Sequence, residues 1–413
     1  MLQNRWFVVI GAVLIQLNLG AIYAWSVFTP ALTAAGWTKV DTQIVFAVGL
    51  ATFALVMVFS GRKMASWGPR NMAMLGGILL GCGYILAGLK GGGTDFWGVC
   101  LGVGLIGGAG IGLGYVVPIA VGMRWFPDRK GLITGLAVAG FGFGALAWIK
   151  IAGAPYNLIK SVGLDNTFIY YGIIFAVLTI IGALPMRMPP AGWAPKGYVA
   201  PANTAGSGGD SFTVGGMLST YQFYMIFLTF TFSAGAGLMA VGLMKLFPME
   251  ALKATGFSPE EAGAIAGTAM AVFFSLANGI GRIVWGILSD SLGRKRSIVI
   301  MVVLQGVLFL SFPMMAGVPY LLYLGATLIG FNFGGNFALF PAITSDMFGN
   351  KTVAQNYPLV FLSYGVGGIV FPILGGKLGD MKDFPLAFSI CGIACLVGAL
   401  CTAITKPPVL KKA

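Results

Sequence analysis

Apolar residues in this chain do not alternate with polar ones. They run on for about twenty positions at a time, the length that carries a helix across a bilayer. Such runs cover 6–29, 42–61, 71–90, 96–123, 131–153 and 167–187, and then 219–245, 262–288, 297–316, 319–344, 354–377 and 385–405. The pattern predicts an all-α membrane protein with twelve transmembrane helices. Only one break is long, at 188–218. It contains Pro189, Pro190, Pro195 and Pro201, then Ala-Gly-Ser-Gly-Gly-Asp at 205–210, a composition that reads as a flexible linker. The chain is thereby divided into a six-helix bundle at 1–187, a linker at 188–218 and a second six-helix bundle at 219–413.

Composition supports the same solvent. Of 413 residues, 57% are hydrophobic and 9% charged, against about 25% charged in a soluble domain. So little charge cannot cover a water-facing surface. The net charge of +13 would suit nucleic acid, but the basic residues sit at the ends of apolar runs rather than in patches interleaved with aromatics. With the N-terminus placed in the cytoplasm, sixteen lysines and arginines fall on the inner side and eight on the outer, with Arg282 left over. That bias predicts a multi-pass protein of the cell's inner membrane with the linker and both termini cytoplasmic. Arg5 is followed by an apolar run to Phe28, longer than a signal-peptide core, so the first helix is expected to be retained.

Several chemistries are excluded. The five cysteines lie inside apolar runs and there is no histidine. No metal-ligand spacing results, and the thiols read as small buried apolar groups. No P-loop is present, so neither a cofactor nor nucleotide-driven pumping is expected. An enzyme would need a nucleophile–base pair or a metal cluster inside the bilayer, and a transporter is the better reading. Glycines crowd the fourth and fifth helices at spacings that suit close helix packing.

The twelve acidic residues all fall in loops or at helix ends. The embedded carboxylates and histidines of common proton relays are therefore absent. One cation does lie well inside an apolar segment: Arg282, in Ser-Leu-Ala-Asn-Gly-Ile-Gly-Arg-Ile-Val-Trp of the eighth helix. A charge there costs about 2.5–3.5 kcal/mol on insertion scales. Either it snorkels to the inner surface or it faces a polar cavity and receives an anion. Asn278, one turn earlier, shares its face and can hydrogen-bond to it. A planar guanidinium fork suits a carboxylate.

The halves repeat each other. Gly61-Arg-Lys-Met-Ala-Ser-Trp-Gly68-Pro-Arg70 follows the second helix, and Gly286-Ile-Leu-Ser-Asp290-Ser-Leu-Gly293-Arg294-Lys295-Arg296 follows the eighth. Pro118 and Pro341 interrupt the fourth and tenth helices at nearly the same offset. Two six-helix halves of like orientation are one transporter plan. The second of these loops resembles the signature loop of the major facilitator superfamily; the first has Ala65 where that family has aspartate. The resemblance implies that Asp290, Gly293, Arg294 and Lys295, with Arg70 and Arg124 at other helix ends, form gating contacts that break as the halves rock.

A narrower resemblance is to the oxalate–formate antiporter and monocarboxylate transporter group. It is carried by Gly20-Ala-Ile-Tyr23-Ala-Trp25-Ser-Val-Phe28, by Arg124-Trp-Phe-Pro-Asp-Arg-Lys-Gly131 and by Ala338-Leu-Phe-Pro341. It implies that Arg282 and Asn278 bind substrate and that Tyr115, Phe333, Phe337 and Phe361 line the site. Tyr23 and Asn18 of the first helix are further candidates. Two departures matter. Tyr364 stands where the antiporters have a second cation, and Asn278 where monocarboxylate transporters commonly have an aspartate. One cation balances one carboxylate, and a second carboxylate would go uncompensated. The expected function is therefore proton-coupled symport of small monocarboxylates such as lactate or pyruvate, by alternating access. The alternatives are a proton-independent carboxylate exchanger, or a drug or sugar carrier on the same fold.

Overall fold

A computed structural model describes residues 4–90, 94–153, 156–190, 193–195, 211–244 and 246–408. Among the described residues twelve helices are long and apolar enough to cross a membrane. In chain order they are α1 (Arg5–Leu19, whose span continues to Trp25), α2 (Lys39–Trp67), α3 (Pro69–Leu89), α4 (Phe96–Trp125), α5 (Lys130–Ala152) and α6 (Leu158–Ala183). The remainder are α7 (Tyr221–Leu243), α8 (Pro259–Leu292), α9 (Arg294–Met315), α10 (Pro319–Phe348), α11 (Val353–Asp380) and α12 (Phe384–Ile404). Large apolar side chains such as Leu55, Ile173, Val307 and Ile373 stand exposed along the spans. In water such a surface would be an aggregation hazard; against lipid tails it is matched to its solvent.

Several boundaries differ from the sequence expectation. The first apolar run is α-helical only to Leu19, then tightens into a 3-10 stretch, Gly20–Val27. At Gly20 the chain lies against the backbone of Phe141, where a β-carbon would overlap the Phe141 carbonyl. Helix α6 begins at Leu158 rather than 167, with a break at Gly163, φ 88°. Its polar first turns had read as loop, yet Asn166 and Thr167 bond back to the carbonyls of Val162 and Gly163. In α4 residues Cys100–Gly107 are π-helical, and in α8 so are Ala269–Phe274; an apolar run does not distinguish π from α winding.

Residues 191–192 and 196–210 of the expected linker lie outside the described residues. Its C-terminal end is folded. Phe212 donates its N–H to the Phe348 carbonyl and accepts from the Asn356 amide. A short helix, Val214–Leu218, follows under a Thr213 cap, and Met217 is buried.

The chain forms two compact units. Unit 1 is Met1–Asp128 with Leu136–Tyr198; unit 2 is Arg129–Gly135 with Val199–Ala413. Inside unit 1, α1 packs on α4 and α6, α2 on α4, and α3 on α4 and α6. Inside unit 2 the same five pairings recur six helices later. The repeat extends to helix ends. Capping boxes start both α2, with Thr38 and Asp41, and α8, with Ser258 and Glu261, each satisfying donors that a helix start leaves open.

Candidate functional site

Arg282 is only 1% exposed, which rules out the snorkelling alternative. Its place is set by glycine packing between α8 and α10. A β-carbon at Gly281 would overlap the Phe331 carbonyl, and one at Gly334 the Asn278 carbonyl. The two backbones therefore touch where the site residues sit. Arg282 Nε donates to Asn278 Oδ1 at 3.0 Å, the pair expected from their spacing. The guanidinium carbon lies 4.2 Å from the centre of the Phe337 ring, a cation–π contact. Trp285, one turn on, donates to Asn332 Oδ1 at 3.2 Å.

From Phe337 a line of buried rings continues. Phe333 meets it edge-on at 5.4 Å, Tyr364 lies 5.5 Å away, and Phe361 stacks on Tyr364 at 5.0 Å. Six sequence candidates, Arg282, Asn278, Phe333, Phe337, Phe361 and Tyr364, thus form one continuous cluster in unit 2.

The other three lie in unit 1. Tyr23 and Tyr115 both meet Phe141 edge-on, at 5.1 Å and 5.4 Å, and Tyr115 also meets Phe53 at 5.0 Å. Phe53 and Phe141 were not anticipated, because a phenylalanine in a lipid-spanning helix carries no mark of which face it occupies. Asn18 is not joined to these rings by a hydrogen bond among the described residues. Its amide folds back on the Leu14 carbonyl of its own helix at 2.7 Å.

The expected gating residues divide likewise. In unit 2 the Asp290 carboxylate accepts from the N–H groups of Gly131 and Leu132, both at 2.9 Å. It thereby caps the positive end of α5. Arg294 pairs with Asp290 and reaches Asp346 Oδ2 at 3.2 Å, and Lys130 reaches Asp346 Oδ1 at 2.8 Å. Lys130 and Asp346 were missed by sequence reasoning; each sits at a helix end where a charge looks merely solvated. Lys295 is half-buried at the start of α9. In unit 1 Arg70 donates to the Leu184 carbonyl, and Arg124 is half-buried in the last turn of α4. A groove of about 460 Å³ between the end of α5 and the start of α6 is lined by Ala147, Lys150, Ile151, Tyr156 and Leu158, none of them a site candidate.

The arrangement around Arg282 offers ionic and hydrogen-bond recognition within an aromatic wall. Among the described residues no group of three or more cysteine, histidine or carboxylate side chains could hold a metal. A sequence model of the major facilitator superfamily matches residues 225–413. The MFS-type transporter YhjX of Escherichia coli (strain K12) is 31% identical over 374 residues, 89% of this chain and 86% of that protein. The chain belongs to the major facilitator superfamily.

Two further relatives carry a substrate in their names. The oxalate:formate antiporter of Oxalobacter formigenes is 28% identical over 98% of this chain and 92% of its own. Human monocarboxylate transporter 11 is 26% identical over 87% of this chain and 73% of its own. Among solved structures, the Escherichia coli fucose:proton symporter FucP superposes with a TM-score of 0.67 at 14% identity, covering 96% of this chain and 97% of that one. That likeness establishes the major facilitator fold, two pseudo-symmetric six-helix bundles, and nothing about substrate.

Proposed function

We propose that this major facilitator transporter carries small monocarboxylates, of the lactate or pyruvate type, together with a proton. The observation that carries the reading is the buried Arg282, held by a neutral amide and a ring face. A planar guanidinium fork matches a carboxylate, to which it can donate two parallel hydrogen bonds. Phe337, Phe333, Tyr364 and Phe361 beside it would pack a small apolar substituent and disfavour a second charge. The names of the oxalate:formate antiporter and of monocarboxylate transporter 11 support an organic anion. Tyr364 in place of a second cation supports one carboxylate rather than two.

Coupling to a proton follows from energetics. An anion entering alone works against an inside-negative potential at about 2.3 kcal/mol per 100 mV; a proton moving with it removes that cost. The bundles at 1–187 and 219–413 would rock to expose the site alternately, with the 188–218 linker and both termini in the cytoplasm of an inner membrane. Tyr115, Tyr23 and Asn18 would contribute from the first bundle, and Asp290, Gly293, Arg294, Lys295, Arg70 and Arg124 would serve the gate.

The test is uptake of labelled lactate into proteoliposomes, with and without an inward proton gradient, for wild type and Arg282→Ala. Accumulation that needs the gradient and disappears in the variant is the expected result. Uptake unchanged by the substitution would remove Arg282 from the site. A second reading, a proton-independent carboxylate exchanger, is favoured by the relative covering 98% of the chain; lactate counterflow without any gradient effect would select it.

A further inference from the structure

Gln16 lies in the last turn of α1, midway along the apolar run 6–29, and is fully buried. A primary amide at that depth is unfavourable unless its polar atoms are used. Its Nε2 donates to the Tyr115 carbonyl of α4 at 3.0 Å. Ser60 of α2, also fully buried, donates from Oγ to the Leu113 carbonyl at 2.9 Å. Between these two acceptors stands Gly114. Its carbonyl is the one that Pro118, four residues on, cannot bond, because proline has no N–H. Two side chains from two different helices therefore hold α4 at the two carbonyls that flank the one Pro118 leaves open.

The grip is close. A β-carbon at Gly114 would lie 3.0 Å from Leu19 Cδ1, and one at Gly112 would press on the Phe53 carbonyl. Tyr115 is the residue whose carbonyl Gln16 holds and whose ring meets Phe53 and Phe141. Rotation of α4 at the break would swing that ring out of the cluster.

We propose that Gln16, assisted by Ser60, is a positioning residue: it clamps α4 at the Pro118 break and so fixes Tyr115 for substrate. The proposal rests on the reading of Tyr115 as part of the transport site. The clamp itself does not depend on that reading. Neither side chain touches the substrate. Pro118 frees α4 to bend, and the donors from α1 and α2 select one bend.

The test couples Gln16 to Pro118. Hydrogen exchange over 112–119 reads the clamp without any substrate. Gln16→Leu should speed exchange there about tenfold, and by less than about twofold when Pro118→Ala restores the helix's own bond to Gly114. In lactate uptake, Gln16→Leu should raise KM about tenfold with maximal rate within about twofold, again only when Pro118 is present. Ser60→Ala, a milder change, should follow the same pattern at about threefold. Equal effects of Gln16→Leu with and without Pro118 would overturn the clamp. Faster exchange with KM unchanged, in a protein where Tyr115→Ala does raise KM, would overturn the positioning role and leave Tyr115 in the site. If Tyr115→Ala leaves KM unaltered while exchange responds as expected, the site reading fails, and the positioning role falls with it although the clamp stands.

Discussion

Both units turn from their second helix into their third through a glycine of the same conformation. Gly68 has φ 78° and ψ 145°; Gly293 has φ 87° and ψ 146°. Side chains with a β-carbon avoid that region, so one backbone solution is used twice. What surrounds it differs. In unit 2, Asp290 sits in the last turn before the glycine and draws in Arg294, Asp346, Lys130 and the start of α5. In unit 1 the equivalent position is Ala65, and Arg70 ends on a main-chain carbonyl. The interiors differ in the same sense. Both units bury neutral amides, Gln16 and Asn18 in unit 1 and Asn332 and Asn336 in unit 2, but among the described residues only unit 2 buries a guanidinium. Side-chain donors differ as well. In unit 2, Ser233 of α7 donates to the Asn336 side chain of α10. In unit 1, Gln16 and Ser60 donate directly to main-chain carbonyls of α4. The two units share one framework, and unit 2 carries the buried guanidinium and the carboxylate-centred ion-pair network.

The largest expected consequence is at Arg282. Arg282→Lys keeps the charge and loses the fork, and lactate uptake at limiting concentration should fall about a hundredfold. Tyr115→Leu removes the ring and its hydroxyl from unit 1 without touching a charge and should lower it about tenfold. Equal losses would mean that the halves share recognition evenly. Next is the loop carboxylate. Asp290→Asn should lower stability by about 1–3 kcal/mol in thermal unfolding, while Ala65→Asp should stay within about 0.5 kcal/mol of wild type. A comparable gain from Ala65→Asp would show that unit 1 retains partners for a carboxylate there.

The glycine turns should behave alike. Gly68→Ala and Gly293→Ala are each expected to cost about 1–2 kcal/mol, and a clear inequality would break the equivalence of the two turns. The smallest effect concerns the cap of α2. Hydrogen bonds from the Thr38 side chain and N–H hold the Asp41 carboxyl below its usual range. A folded-state value below the unfolded one stabilises above the unfolded pKa, and the contribution is lost as pH falls through the lowered value. Thr38→Ala should therefore melt slightly below wild type at neutral pH. The gap should close as the pH drops under about 4, which melting curves across that range would read.

What the sequence determined by itself follows from the solvent. Lipid leaves no backbone group unpaired, so each span must be a helix and must be apolar for its whole length. Twelve spans, their grouping in sixes, the repeated loop and the single cation in mid-span were all legible for that reason. So was the Arg282–Asn278 pair, because a spacing of four on one helix is a spatial fact. Contacts between helices were not legible. In a helix that is apolar on every side, no periodicity tells the lipid face from the buried one. Nothing in the order of residues announced that Phe141 would join Tyr23 to Tyr115, that Asp346 would bridge Lys130 and Arg294, or that Gln16 would hold the carbonyl of Tyr115. Those partners were chosen by glycines that let particular backbones meet, and only the folded arrangement shows which glycines met which carbonyls.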